Sequence, residues 1–163
     1  MLIYHGSYTE VKIPEIRTPN RNHDFGMGFY TTANENQAVK YAKIVYNREG
    51  GIPTVSSYEF DYEKAQQDLK LKIFDSPNED WFDFVCDKRM GKYKGEEYDI
   101  IYGPVANDQV YICFIGFLAG TSTREETIKK LNNNKLYNQF NFCNENALAY
   151  IKFISGREVL IDE

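Results

Sequence analysis

The chain has 163 residues, 42% of them apolar and 26% charged, with 24 acidic against 19 basic side chains and a net charge of −5. That composition suits one globular domain over residues 1–163, excludes a disordered chain, and argues against a broad phosphate-binding surface. Three scattered cysteines (Cys86, Cys113, Cys143) and two histidines exclude a zinc framework and fit free thiols in a reducing compartment, so no metal is expected. No basic leader runs into an apolar segment, and the most apolar window, Val110–Ala119, is too short to span a bilayer, so the expected location is the cytoplasm.

Leu2–His5 reads as a short strand halted by Gly6-Ser7, followed by a loop through Pro14 and Pro19 to the polar cluster 20–23. Gly28–Thr32 reads as a second strand. Asn34, with Gln37 three residues on, opens a helix whose stripe is Ala38, Tyr41, Ala42 and Val45, and Gly50-Gly51 ends it. Thr54–Phe60 and Leu69–Phe74 read as strands. Ser76, Pro77 and Glu79 start a helix carrying Trp81, Phe82, Phe84 and Val85, which ends near Gly91.

Tyr98–Tyr102 reads as a strand closed by Gly103-Pro104. The spacing of Val110, Phe114, Phe117 and Leu118 favours a helix over 108–118, although the composition would also serve a strand. Ser122 and Glu125 make a capping box before Ile128 and Leu131, and the Asn132–Asn134 run stops that helix. Gln139–Cys143 reads as a strand, Glu145–Lys152 as a short helix and Val159–Ile161 as a terminal strand. Neither strict alternation nor segregation of strands and helices is present, which defines an α+β domain.

Several chemical motifs fail on context. "DFG" at 24–26 lacks a kinase catalytic loop, "GMGF" at 26–29 lacks the helix of a dinucleotide fingerprint, and no nucleophile elbow exists. What remains is an ordered set: "YHGS" (Tyr4–Ser7), "GMGFYTT" (Gly26–Thr32), a helix with Tyr41 eleven residues after Tyr30, and "YNQFNF" (Tyr137–Phe142). This set resembles the ADP-ribosyltransferase superfamily, in the branch of the poly(ADP-ribose) polymerases. There an H-G-[ST] strand, a G-x-G-x-Y strand, a helix and a later strand with a catalytic glutamate occur in that order. The chain also resembles a bacterial branch of that superfamily known only as a domain of unknown function.

The resemblance implies two small packed sheets, antiparallel or mixed, forming an NAD cleft with flanking helices. It implies cleavage of the nicotinamide–ribose bond of NAD through an oxocarbenium-like transition state. His5 would bond a ribose hydroxyl, and the backbone of Gly6, followed by Ser7, would hold the carboxamide. Tyr30 and Tyr41 would sandwich the nicotinamide, Gly28 would let the backbone approach, and Thr31 or Thr32 would add hydroxyls. Arg21 and Arg17, in the preceding loop, are candidates for the diphosphate. Bacterial relatives in the superfamily often act as toxins held by a small neighbouring antitoxin-like protein. That makes such a protein an expected partner, beside an ADP-ribose acceptor that the residues do not name.

Two positions depart from the pattern. Ala38 stands where a serine often bonds the carboxamide, and Gln139 stands at the glutamate position. An amide can bond a ribose hydroxyl but cannot stabilise a developing cation by charge or accept a proton. Chain elongation is therefore not expected. Single ADP-ribose transfer, substitution by Glu145 or Asp108, and a non-catalytic NAD or ADP-ribose binding module are the alternatives.

Overall fold

The structure, a computed structural model, describes residues 1–18, 23–105 and 108–161, apart from the side chains of 108–111. Its elements run β1 (Leu2–Ser7), β2 (Phe29–Thr31), α1 (Glu35–Glu49), β3 (Thr54–Phe60), α2 (Tyr62–Asp68), β4 (Leu71–Ile73), α3 (Glu79–Met90), β5 (Ile100–Val105), α4 (Asp108–Leu118), α5 (Arg124–Asn132), β6 (Tyr137–Phe142), α6 (Glu145–Leu148) and β7 (Ile151–Glu158). One sheet is antiparallel in the order β1-β3-β7; the other is mixed, β2-β6-β5-β4, with β4 and β5 parallel. The expected α+β class with two small sheets and flanking helices is what the chain adopts.

The two-residue period of the strands assigns each side chain to a layer. Ile3, Phe29, Tyr58, Phe60, Ile100, Phe140 and Phe142 meet between the sheets, with Phe60 edge-on to both Phe140 and Phe142. Ile101, one residue from Ile100, turns to the opposite face and packs with Trp81, Phe82, Val85, Phe114 and Leu131 of α3, α4 and α5. On the outer face of the first sheet, α1 lays Ala38 and Ala42 against Val55. At Gly6 the helix comes so close that a Cβ would stand 2.1 Å from the Ala38 carbonyl oxygen. Small residues on both sides permit this approach.

Element boundaries depart from the sequence reading in several places. The third helix is capped by Asn78, whose side chain accepts from Trp81 N–H, two residues beyond the expected Ser76. The capping box belongs to Thr123 and Glu126, one residue after the expected pair. Asn34 caps α1 as expected, but the Gln37 side chain accepts from Thr32 rather than closing the box. A helix over Tyr62–Asp68, capped by Asp61, was not anticipated.

Strand β5 continues through Gly103-Pro104 instead of stopping there. Even-numbered β5 residues turn their backbone groups toward β4, and Phe74 N–H bonds Tyr102 C=O on that side. Pro104 falls beyond the last β4 pair, Ile73–Tyr102, so its missing N–H costs no ladder bond. Its carbonyl accepts the buried Trp81 indole N–H at 2.7 Å. β4 is shorter than the expected 69–74. α6 ends at Leu148, and the chain turns at once into β7, so Ile151–Lys152 are strand rather than helix. Val159–Ile161 lie past the terminal strand.

Candidate functional site

The sheets are joined where β1 meets β2. Tyr4 and Thr32 exchange both backbone bonds, 2.8 and 2.9 Å, and this is an isolated bridge. Continued one step, the antiparallel register would pair Gly6 with Tyr30, but the strands part before that point. By alternation, the N–H and C=O of Gly6 face away from β3, and those of Tyr30 face away from β6. In place of a ladder bond, His5 Nδ1 lies 2.7 Å from the Tyr30 carbonyl oxygen. Gly6 N–H, Gly6 C=O and Tyr30 N–H have no partner among the described residues, and Gly6 is buried.

A carbonyl only accepts, so His5 carries its proton on Nδ1 and presents Nε2 as an acceptor. Burial lowers the imidazole pKa from its ordinary 6.5; the bond to Tyr30 works against this, and the positive field of Arg17 adds to it. His5 is thus neutral near pH 7. Its ring packs on Phe29 at 4.4 Å, and Ser7 follows on the same face of β1, nine-tenths buried.

Tyr30 points to the opposite face of its sheet. Its hydroxyl accepts from Phe25 N–H at 3.1 Å and donates to Gly26 C=O at 2.7 Å. The ring lies parallel to Phe25, with centroids 6.5 Å apart, and tilted against His23 at 5.4 Å. Burial and the nearby Asp24 carboxylate raise the phenol pKa well above 10. The ring is therefore held in place, anchored at its far end by the glycine loop.

That loop is held from below by residues the motifs did not single out. Asn141, fully buried and directly opposite Tyr30 on β6, donates through Nδ2 to Phe25 C=O at 3.3 Å and Met27 C=O at 3.2 Å. Gly28, at φ +157°, lets the chain pass over this amide; a Cβ there would stand 2.0 Å from Asn141 Oδ1. From the side, buried Asp24 accepts from Arg89 of α3. No local signal in the sequence marked this pair, whose members lie 65 residues apart.

The remaining sequence candidates are placed as follows. Thr32 donates its hydroxyl to Gln37 Oε1 at 2.6 Å and accepts from Asn34 N–H, which ties it to the start of α1. Thr31 is buried, and its Oγ1 has no hydrogen-bond partner among the described residues. Gln139 lies on β6, on the Tyr30 and Asn141 face, partly exposed. Tyr41 projects from α1 with 39% exposure and does not touch the Tyr30 ring. Arg17 is exposed and pairs with Glu15 at 3.4 Å. Arg21 and the Asp108 side chain lie outside the described residues. Glu145 is an exposed residue in the first turn of α6.

Among the described residues, no cluster of His, Cys, Asp and Glu forms a metal site, and no helix is long and apolar enough to cross a membrane. Cys86 and Cys143 carry thiols pushed up to about 12, chiefly by burial. Comparison with curated proteins and with solved structures gives no match. The family described as "Protein of unknown function (DUF3990)" matches residues 1–153, and the chain belongs to that family.

Proposed function

We propose that the protein is an NAD-dependent mono-ADP-ribosyltransferase. It would cleave the nicotinamide–ribose bond and pass ADP-ribose to an acceptor. The observation that carries this reading is the parting of β1 and β2, which leaves the buried N–H and C=O of Gly6 without a partner among the described residues, at the register position of Tyr30 and next in the chain to His5. An N–H and a C=O from one extended residue match a primary carboxamide, which offers one acceptor and two donors. Nε2 of His5 suits a ribose hydroxyl donor. In the reaction the C1′–N bond of NAD breaks, and nicotinamide leaves neutral with the bonding pair. The acceptor then forms a bond to C1′ and releases its proton.

With Gln139 read as standing at the glutamate position, rate would come from orientation and distortion of NAD more than from a fixed negative charge. Gln139 favours a second reading, a module that binds NAD or ADP-ribose without turnover. Two measurements separate them. NAD raises the melting temperature under both, and nicotinamide is released only under the first. Under the first, Gln139→Glu raises that release by about 10²-fold. Absence of any thermal shift at millimolar NAD sinks both.

A further inference from the structure

Although the chain is acidic, its acids are unevenly spread. Residues 36–48 contain no Asp or Glu and carry Lys40, Lys43 and Arg48, the last paired with Glu49; residues 127–144 contain none and carry Lys129, Lys130 and Lys135. The first stretch is most of α1, and the second runs from α5 through β6. The fold brings them together at Tyr137. Nζ of Lys40 and Nζ of Lys135 each lie 5.9 Å from the centre of that ring. Both lysines are exposed, and neither has a carboxylate partner among the described residues.

Two ammonium groups beside one ring both add positive potential around it, and a bound phosphate lowers that potential. The ring adds a face for stacking, and Tyr41, next to Lys40 and 39% exposed, adds another. Gln139, two residues on from Tyr137 and on the same face of β6, adds an amide donor and acceptor. We propose that this surface of α1 and β6 docks a single-stranded nucleic acid, with phosphates on Lys40 and Lys135 and bases on the two tyrosines. Cations interleaved with aromatic rings are the recognition chemistry of unpaired strands, whose bases are free to stack.

The expectation from net charge ran the other way. Total charge averages over the whole molecule, however, while a bound phosphate responds to charges within a Debye length, about 8–10 Å. Tyr137 and Gln139 share one face of β6, so a strand seated here passes the candidate centre. The docking itself stands independently of NAD chemistry.

The test is fluorescence anisotropy with labelled 15-nucleotide DNA and RNA single strands in 50 mM salt, without NAD. Binding is expected, weakening about 5- to 10-fold at 200 mM salt, as for release of two or so counterions. Lys40→Glu with Lys135→Glu should lose at least tenfold, and the milder Lys40→Gln with Lys135→Gln should move the same way. Reversal at Lys64 and Lys92, exposed lysines of α2 and of the turn after α3, should change binding by less than twofold. Absence of binding at 50 mM salt, or equal losses from both pairs of reversals, overturns the proposal. So does a poly-glutamate peptide that competes as well as the oligonucleotide, which would identify an acidic protein as the partner. The NAD thermal shift is read separately, so failure of either proposal leaves the other standing.

Discussion

His5 Nδ1 lies 2.7 Å from the carbonyl oxygen of Tyr30, a side chain of one sheet closing on the backbone of the other just where the strands separate. This contact fixes the tautomer and, together with burial, sets the direction of the titration. Nitrogen NMR should find the proton on Nδ1 and a titration midpoint below 6.5. Because the folded pKa is depressed, the unfolded chain binds the proton first as pH falls through 6.5. Stability contributed by neutral His5 is therefore complete above that pH and declines between 6.5 and the folded value. His5→Gln should flatten the stability profile across that window, as read by denaturant melts at a series of pH values.

Gly6→Ala places a methyl group against the backbone of Ala38 and Ala42, which cannot move aside as a side chain would. Separation of α1 from β1 should cost about 1–3 kcal/mol or more. Urea unfolding measures it, and a cost below half a kcal/mol would disprove so close an approach.

Asn141→Leu removes two donors from the glycine loop and leaves Phe25 C=O and Met27 C=O short of partners. Destabilisation of about 2–4 kcal/mol is expected, since buried backbone acceptors lose hydrogen bonds. Loosening of the loop should also let water reach the Tyr30 hydroxyl; because burial is the chief cause of its raised pKa, the phenol should ionise at lower pH than in the wild type, followed by ultraviolet absorbance.

Arg89→Ala strips the cation from Asp24, a carboxylate with only 4% exposure. Removing one member of such a pair costs about 3–5 kcal/mol. Adding Asp24→Asn should recover a large part of that loss, and an additive double variant would show that the two residues do not act as a pair.

Cys86 and Cys143, with thiols pushed up to about 12, should resist iodoacetamide at pH 8 in the folded protein and react once it is unfolded. Mass spectrometry after pulse labelling distinguishes them from Cys113.

Local chemistry was legible wherever a local rule decided the outcome. The Asn34 cap and its helix to Glu49, the strand Thr54–Phe60 and the stop at Gly91 all depend on neighbours within a turn or two. Tyr62–Asp68 was missed despite its Asp61 cap because seven residues give a weak periodic signal. The run Gly103-Pro104 looked like punctuation; whether a proline interrupts a strand depends on which edge is paired, and β4 ends one residue too soon to require the missing N–H.

The candidate site divides in the same way. The motifs "YHGS" and "GMGFYTT" drew attention to His5, Gly6, Gly28 and Tyr30 through the family resemblance that their order carries. Their partners were invisible. Asn141 under the loop lies over a hundred positions from Phe25, Arg89 beside Asp24 lies 65 away, and Lys40 and Lys135 meet only through Tyr137. By itself the sequence determined the residue types at the strand ends and the α+β class, since backbone propensity and side-chain period act over a few residues. Only the tertiary structure decided where β1 and β2 part, which glycine faces a helix rather than open backbone, and which cations share a ring. Those outcomes depend on strand register and close packing between segments far apart in the chain, and no local spacing encodes them.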